Sequence, residues 1–229
     1  AAVRVDGLDD VRPLAVAARR VAIIDYGSGN LRSASKAFER VVRERGLDVE
    51  VRVTSDADEV AESERIVLPG VGAFGDCMRG IGNLSGMLPA LDHAVRTVGK
   101  PFLGICVGMQ LLAERGFEHG ENPGLGWIAG DVVAIAGSNL KVPHMGWNDL
   151  KVRSTHPVLK SINTGAHANF VHSYTVACAH NDNVLASVDY GSPLAAVIGR
   201  DNIVGTQFHP EKSQAVGLAL LANFLEWRP

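Results

Sequence analysis

Residues 102–110 constrain the possible folds of this chain most, because an apolar run of strand type leads there into Gly-x-Cys-x-Gly. A helical stretch follows and is predicted to continue to about Arg115. A cysteine between two glycines at a strand-to-helix turn is the pattern of a nucleophile elbow, with sulfur in place of the hydroxyl. Gly104 and Gly108 are needed because side chains there would collide with the neighbouring strand and helix. The helix directs its first N–H groups at the sulfur of Cys106, which favours the thiolate.

A second signal lies at residues 206–211, where an apolar strand ends in His209 and the carboxylate Glu211 follows two residues later. Histidine can act as a base towards a cysteine nucleophile, and a carboxylate can orient the imidazole. Taken alone, Cys106 could also be a buried small apolar side chain, a common position for a free cysteine. The histidine and the glutamate favour the nucleophile, so the sequence predicts a Cys-His-Glu triad.

Composition narrows the classes of protein to which this chain can belong. Its 229 residues suffice for a substantial core, and a net charge of −3 argues against a nucleic-acid surface. The three cysteines are far apart and lack metal-ligand spacing, which indicates a reducing compartment and argues against disulfides or zinc. No apolar run approaches the length of a membrane span. We therefore expect a cytoplasmic protein that binds neither membrane nor nucleic acid. The predicted triad chemistry needs no metal or organic cofactor, so we expect none.

The chain is predicted to form one domain over residues 21–229, preceded by an N-terminal extension. The extension, residues 1–20, contains acidic residues, and its longest apolar stretch is too short for a signal peptide. Its structure stays open, because the pattern fits a short strand, a helix or a disordered segment equally well.

Strands and helices alternate in the first half, which predicts a mostly parallel sheet covered on both faces. Functional groups gather at the carboxyl ends of the strands in such sheets. The loop at 25–30, the turn at 69–72 and Cys106 all follow predicted strands. These strands cover residues 21–25, 49–54, 66–68 and 102–105, with helices from Leu31 to Gly46 and over 87–98.

After Gly130 the pattern changes to shorter strands and turns, which predicts additional antiparallel strands. Residues 199–202 carry a hairpin signal between the last two strands. The predicted fold class is therefore a three-layer α/β structure, with a mostly parallel central sheet flanked by helices and antiparallel additions in the second half. The later elements are strands over 131–136, from 142 onward, 170–176, 184–188, 194–198 and 203–208, and a helix over 214–227.

Attack of Cys106 on a carbonyl carbon would create an oxyanion that needs two aligned donors. The backbone N–H of Val107, the first residue after the nucleophile, is one predicted donor. The turn at 69–72 is the predicted second source, through the N–H of Val71, because a glycine-rich turn can expose its N–H groups to a ligand. An ordinary turn is the alternative interpretation.

Longer motifs extend this pattern over almost the whole chain. Residues 104–110 and 209–211 together resemble the class I (triad) glutamine amidotransferases. Within that class, further motifs resemble the glutaminase subunits of imidazole glycerol phosphate synthases, which act in histidine biosynthesis, and the match runs from about Val21 to Trp227. These motifs are Asp25-Tyr26-Gly27-Ser28-Gly29-Asn30, Pro69-Gly70-Val71-Gly72-Ala73-Phe74, Pro143-His144-Met145-Gly146-Trp147-Asn148, Phe170-Val171-His172-Ser173-Tyr174 and His209-Pro210-Glu211-Lys212-Ser213.

The resemblance implies the class I glutamine amidotransferase fold and the hydrolysis of L-glutamine to glutamate and ammonia through a thioester. By the family pattern, Cys106 is the nucleophile, His209 is the general base and acid, and Glu211 fixes the imidazole. The oxyanion hole would use the N–H groups of Val71 and Val107. The substrate contacts that the family pattern implies are Gly70, Gly72, Gln110, Ser173 and Tyr174.

The resemblance also implies a partner, a separate (β/α)₈-barrel cyclase subunit that forms a heterodimer with this chain. Ammonia would pass through the core of the barrel and react with the ribulosyl phosphate intermediate PRFAR, giving imidazole glycerol phosphate and AICAR. The docking face is predicted to surround the glutaminase site. It would include Asn30, Met145, Trp147 and Lys212.

Three polar residues within the motifs are assigned from their positions. Gln110 lies one helical turn after Cys106 and can reach the same pocket, although a solvent-facing helix residue is the alternative. His144 and His172 are not needed for the triad, and we expect each to be packed or hydrogen-bonded.

Gly70 and Gly72 suggest how a partner could control the site. Their freedom would permit a peptide flip that presents or withdraws the N–H of Val71.

Two other interpretations fit part of the sequence. A glutaminase for pyridoxal phosphate synthesis, or a γ-glutamyl hydrolase, would share the elbow and the histidine segment but not the motifs at 143–148 and 25–30. A flavodoxin-like module could cradle a phosphate at residues 27–30. That module would leave Cys106 and His209 without a role.

Overall fold

The computed structural model describes residues 19–137 and 140–229. Most of the predicted extension over residues 1–20 therefore lies outside the described residues. Within them, a nine-stranded sheet forms the centre of the fold, and a smaller four-stranded sheet lies beside it. The strands are β1 (Arg19–Ile24), β2 (Val49–Thr54), β3 (Arg65–Gly70), β4 (Phe102–Cys106), β5 (Arg115–Gly116), β6 (Asn122–Pro123), β7 (Gly130–Ala134), β8 (His144–Val152), β9 (His167–His172), β10 (Tyr174–Cys178), β11 (Val184–Tyr190), β12 (Ser192–Arg200) and β13 (Ile203–Thr206).

Five strands form the parallel half of the large sheet, in the order β2, β1, β3, β4, β13. β3 and β4 are buried along their whole length, which explains why their sequences are nearly continuous apolar runs. Cys106 ends β4, and His209 follows the end of β13. Because β4 and β13 are parallel neighbours, the two residues meet at the same edge of the sheet.

The other half of the large sheet is antiparallel and continues from β13 through β12, β11 and β8 to β9. The predicted hairpin between β12 and β13 is confirmed, and its turn residue Asp201 has a left-handed φ of 53°. The predicted class, an α/β fold with a parallel sheet and added antiparallel strands, is confirmed in this arrangement.

The prediction of one strand over residues 170–176 is wrong, because the chain bends at Ser173. β9 ends at His172 in the large sheet, whereas β10 begins at Tyr174 and pairs with β7 in the small sheet. The Nδ1 of His172 bonds the carbonyl oxygen of Tyr174 at 2.8 Å across this bend. A side chain that satisfies the backbone locally replaces the ladder bond that a continuous strand would have made.

The helices cover both faces of the large sheet. The crossovers from β1 to β2 and from β2 to β3 run in opposite directions, so right-handed connections place their helices on opposite faces. No helix in the described ranges is long and apolar enough to cross a membrane. The helices are α1 (Leu31–Arg45), α2 (Ala57–Glu62), α3 (Phe74–Asn83), α4 (Met87–Asp92) with a π-helical continuation (His93–Thr97), α5 (Val107–Gln110) and α6 (Gln214–Glu226).

Two pairs of helices illustrate how the core is built. α1 buries Ala34, Phe38 and Val41 at helical spacing and ends, as predicted, at a left-handed Gly46. It packs against α6, with the rings of Phe38 and Phe224 edge to face at 6.3 Å. On the other side α3 and α4 pack together.

The prediction of a helix running from the elbow to about Arg115 is wrong, because α5 ends at Gln110. The carbonyl groups of Leu111, Leu112 and Ala113 accept hydrogen bonds from the N–H groups of residues 125–128. Since a later segment takes up these acceptors, no further helical turn forms. The same bonds anchor the small sheet beside the elbow.

Candidate active site

The elbow places Cys106 at the end of β4 in a conformation that a side chain rarely adopts. Its φ is 56° and its ψ is −112°, and the residue is only 4% exposed. A Cβ at Gly104 would lie 2.4 Å from the carbonyl oxygen of Gly108, and one at Gly108 would lie 1.8 Å from that of Leu68. The expected reason for the two glycines is thus confirmed: the backbone passes too close to its neighbours for any side chain.

His209 lies beside the elbow and is held by Glu211. The Nδ1 of His209 is 2.9 Å from the Oε1 of Glu211, and both side chains are almost fully buried. Because the carboxylate accepts, Nδ1 carries a proton and Nε2 is left for Cys106. Burial favours the neutral imidazole, but the hydrogen bonds and charges of Cys106 and Glu211 outweigh it and raise the pKa of His209 to about 9. A protonated imidazole next to the sulfur is therefore favoured at neutral pH.

The backbone around His209 is also fixed. Its N–H donates to the carbonyl oxygen of Asn169 on β9, and its own carbonyl accepts from the hydroxyl of Ser213 at 2.7 Å. The same hydroxyl accepts from the N–H of Asn169 at 3.0 Å. These bonds tie the turn after β13 to the antiparallel half of the sheet and hold the imidazole in place.

A cavity of about 310 Å³ opens over Cys106 and His209. It is large enough for a small amino acid, and most of the residues predicted for the site line it. Gly70 and Glu211 lie behind the lining: Gly70 packs against the elbow, and Glu211 stands behind the imidazole. The lining residues are Val71, Gly72, Cys106, Val107, Gln110, Glu118, Pro143, Val171, His172, Ser173, Tyr174 and His209.

The two predicted oxyanion donors are in different situations. Val107 begins α5 directly after Cys106. The N–H of Val71, in contrast, donates to the Oγ of Ser28 at 3.3 Å, and the hydroxyl of Ser28 donates back to the carbonyl oxygen of Val71. The thiol of Cys77 also reaches that carbonyl, at 3.4 Å. In this conformation the Val71 peptide is engaged by Ser28.

The glycines on either side of Val71 differ in what they permit. A Cβ at Gly70 would lie 2.7 Å from the N of Gly108, so this glycine lets the strand approach the elbow. Gly72 has a φ of 96° with open space around it, which is a backbone conformation that favours glycine.

Gln110 points into the site, as predicted. Its Nε2 donates to the carbonyl oxygen of Tyr174 and to the Oε1 of Gln207, both at 3.1 Å. Gln110 is 3% exposed, so the solvent-facing alternative is wrong. The bond to Tyr174 connects α5 to the bend at Ser173, which is the segment expected to contact the substrate.

His144 and His172 are packed and hydrogen-bonded, as expected. The Nδ1 of His144 is 2.9 Å from the Nε2 of His172, and the ring of His144 stacks between Phe170 and Tyr190 at 4.8 Å and 4.1 Å. Burial lowers the pKa of both histidines, and that of His172 falls to about 4. Both rings are therefore neutral at neutral pH.

The predicted docking residues are all exposed or partly exposed. Met145 is 69% exposed and Trp147 is 48% exposed, unusually high values for such side chains. Asn30 directly precedes α1 and is partly exposed, and Lys212 is exposed in the turn after His209.

Sequence reasoning missed several residues that contact the site. Gln207 and Ser28 lie inside quoted motifs or next to them, but nothing in their spacing shows what their side chains touch. Glu118 lines the cavity and accepts from the N–H of Phe74 at 2.7 Å, a contact across 44 positions. No group of three metal-ligating side chains comes together in the part of the chain that the structure describes.

Comparison with known proteins gives the context for this geometry. Residues 22–227 match the family "Glutamine amidotransferase class-I". The imidazole glycerol phosphate synthase subunit HisH of Agrobacterium fabrum is 56% identical over 215 residues, which cover 92% of this chain and all of that protein. The HisH of Rhodospirillum rubrum is 57% identical over 213 residues, again 92% of this chain and all of the relative.

Two solved structures share the fold at low sequence identity. A glutamine amidotransferase superposes with a TM-score of 0.67 at 19% identity, covering 90% of this chain and 97% of its own. Another glutamine amidotransferase, from Thermotoga maritima, gives a TM-score of 0.62 at 17% identity, covering 91% of this chain and 97% of its own. The family match spans nearly the whole described chain and includes every residue of the elbow and of the histidine segment. This chain therefore belongs to the class I glutamine amidotransferase family.

Proposed function

We propose that this chain is the glutaminase subunit of an imidazole glycerol phosphate synthase, an enzyme of histidine biosynthesis. It hydrolyses glutamine to glutamate and ammonia. The observation that carries the activity is the buried constellation of Cys106 on its elbow, His209 beside it and Glu211 behind the imidazole. The full-length match to HisH subunits supports the pathway.

The geometry supports a thioester mechanism for the first half of the reaction. The sulfur of Cys106 attacks the side-chain amide carbon of glutamine, and an S–C bond forms while negative charge develops on the amide oxygen. The N–H of Val107 faces that oxygen from the start of α5. The C–N bond then breaks as the protonated Nε2 of His209 gives its proton to the leaving nitrogen, which departs as ammonia.

Water completes the reaction. The imidazole of His209, now neutral, takes a proton from water, and the hydroxide attacks the thioester carbon. The C–S bond breaks, glutamate leaves, and the thiolate and the imidazolium are restored. Glu211 keeps Nδ1 protonated throughout, so Nε2 is the nitrogen that exchanges the proton in both halves.

Binding of glutamine falls to the groups around the cavity. Gln110, Ser173 and Tyr174 lie together on one side, since Gln110 bonds the backbone just after Ser173. We assign the α-amino and α-carboxylate contacts to these residues. Gly70 and Gly72 place the Val71 turn over the reacting carbon.

The ammonia acceptor lies on a second subunit. We assign Asn30, Met145, Trp147 and Lys212 to the surface that docks a (β/α)₈-barrel cyclase, which uses ammonia to convert PRFAR to imidazole glycerol phosphate and AICAR. Exposed Met and Trp side chains are typical of protein interfaces. Cytoplasmic location follows from this biosynthetic role.

Docking would also act on the oxyanion hole. The N–H of Val71 is bonded to Ser28 here, so only one of the two donors is free to receive the oxyanion. A peptide flip, permitted by the freedom of Gly70 and Gly72, would turn that N–H towards the cavity. The active enzyme is therefore the complex, and the isolated chain is slow.

The test is glutamate release from glutamine by the chain alone and with a barrel cyclase subunit plus PRFAR. We expect slow turnover alone, strong stimulation in the complex and no turnover by Cys106→Ala in either state. Fast turnover by the isolated chain would indicate a different acceptor or a free-standing hydrolase. No turnover in either state by a folded wild-type chain would overturn the proposal.

A further inference from the structure

Gln207 is a polar residue in contact with the nucleophile that the mechanism above does not use. It directly follows β13 and is fully buried, with an exposed fraction of 0%. Its Nε2 lies 3.8 Å from the sulfur of Cys106, and its Oε1 accepts from the Nε2 of Gln110 at 3.1 Å. We propose that Gln207 is a further catalytic residue, which donates an N–H to the nucleophilic sulfur; this inference rests on the proposed function.

The direction of this hydrogen bond follows from the neighbours of Gln207. The carbonyl oxygen of Tyr174 can only accept, so the end of Gln110 that faces it must be the NH₂ group. The same NH₂ group faces Gln207, whose nearer atom must then be its oxygen. Hence the NH₂ group of Gln207 is the end that faces Cys106.

The bonds beyond Tyr174 are consistent with this arrangement. The carbonyl oxygen of Tyr174 also accepts from the Nδ1 of His172, so the Nε2 of His172 accepts from the Nδ1 of His144. The remaining nitrogen of His144 then accepts from the Nδ2 of Asn148 at 3.2 Å. Each donor has an acceptor in this order, and both histidines must be neutral for it to hold. Burial keeps them so.

This donor acts on the sulfur differently from His209. The imidazolium gives up its proton during the reaction, whereas the amide of Gln207 keeps its own. An N–H that stays in place stabilises the thiolate both before attack and when it is restored at the end. Without the sulfur as acceptor, this N–H of the fully buried Gln207 would have no hydrogen-bond partner, and an unpaired buried N–H costs free energy.

The decisive experiment uses Gln207→Met, which keeps the length of the side chain and removes both polar groups. Alkylation of Cys106 by iodoacetamide is followed against pH, with the labelled peptide identified by mass, and glutamate release is measured in the complex with the barrel cyclase and PRFAR. We expect the midpoint of the alkylation profile to rise and kcat to fall about tenfold, with KM changed less.

Two further variants make the result interpretable. Thr206→Val is the matched control: Thr206 is equally buried, but its hydroxyl bonds the carbonyl oxygen of Phe208, so its alkylation midpoint should stay at the wild-type value. Gln207→Glu keeps an oxygen for Gln110 but turns a carboxylate oxygen towards the sulfur. It should raise the midpoint further, and it serves if Gln207→Met does not fold.

An unchanged midpoint in a folded Gln207 variant would overturn the inference, even if turnover fell. Alkylation does not require glutamine turnover, so this readout is independent of the proposed function. A shifted midpoint in a chain that hydrolyses no glutamine would support the donor and remove the glutaminase.

Discussion

Ser28 determines where the N–H of Val71 points. Its Oγ accepts that N–H and donates to the carbonyl oxygen of the same residue, so one side chain holds both ends of Val71. Ser28→Ala removes both bonds, so the N–H of Val71 loses its acceptor and can turn towards the cavity, although the thiol of Cys77 still contacts the carbonyl oxygen. We expect glutamate release by the isolated chain to rise about fivefold, since a net hydrogen bond contributes about 1 kcal/mol.

The matched control for this prediction is Ser35→Ala. Ser35 bonds Glu39 on the exposed face of α1 and does not line the cavity, so its loss should leave the basal rate unchanged. Equal or lower basal turnover in Ser28→Ala would mean that Ser28 does not hold the turn in its resting state.

His172 makes the stability of the fold depend on pH. Burial lowers its pKa from 6.5 to about 4, so between these values the unfolded chain binds more protons than the folded one. The free energy of unfolding therefore falls as the pH drops through this window, by about 3 kcal/mol. Chemical denaturation at pH 7 and pH 4 measures the change.

Replacement of His172 removes this dependence. His172→Gln should show a smaller loss between pH 7 and pH 4 than the wild type, whatever its stability at pH 7. His180→Gln, which changes an exposed histidine, should keep the wild-type dependence. If His172→Gln lost as much stability as the wild type, His172 would not be the group responsible.

Single residues differ in how far the sequence predicts them. Cys106, His209 and Glu211 are predictable because each lies in a short local pattern that ends a strand. The bond between Ser28 and Val71 joins residues 43 positions apart, and that between Gln207 and Cys106 spans 101. Their contacts depend on how two strands pack, which spacing along the chain does not contain.

The elbow depends on contact between backbone and backbone. A Cβ at Gly108 would lie 1.8 Å from the carbonyl oxygen of Leu68, so Gly108→Ala must separate β3 from α5. We expect a loss of about 3 kcal/mol in the free energy of unfolding and no measurable glutaminase activity. Thermal unfolding and glutamate release measure the two effects.

A second glycine gives the control. Gly82 lies inside α3, where the nearest atom to an added Cβ is 3.9 Å away. Gly82→Ala should stabilise the chain slightly, because alanine is the better helix former, and leave activity intact. A Gly108→Ala variant as stable and active as Gly82→Ala would contradict this account of the elbow.

Helices and strands were predictable where an apolar pattern extends over enough residues to identify them. α1 and the parallel strands follow from their apolar patterns, whereas α2 and α3 were not predicted. α2 has only six residues, and its signal is the cap at Asp56, whose side chain accepts from the N–H groups of Asp58 and Glu59. The end of α5 and the bend at Ser173 depend on bonds with distant or local partners that compete with regular structure.

At the scale of the whole molecule, the two halves of the large sheet position different parts of the site. The parallel half brings together Cys106 and His209, as strand-helix alternation predicted. The antiparallel half supplies β8 and β9, which meet in the register His144 to His172 and Met145 to Val171. Along β8, His144 faces the buried network and Met145 faces solvent. One strand thus connects an exposed apolar surface to the residues behind the cavity.

This arrangement leads to a prediction for complex formation. Met145→Asp places a charge in the exposed apolar surface beside the cavity, and we expect the affinity for the barrel cyclase to fall about tenfold or more. Because Met145 is largely exposed, the fold and the alkylation of Cys106 should be unaffected. Titration of the cyclase, read by glutamate release at saturating PRFAR, measures the affinity.

Val98→Asp tests whether the effect belongs to this surface. Val98 is 55% exposed and precedes β4, at the end of the strand opposite to Cys106. A charge there meets the same solvent but should leave the titration at its wild-type midpoint. Equal weakening by the two variants would mean that added charge acts at a distance. No weakening by Met145→Asp would mean that the cyclase docks elsewhere, and β8 would then be only a wall of the cavity.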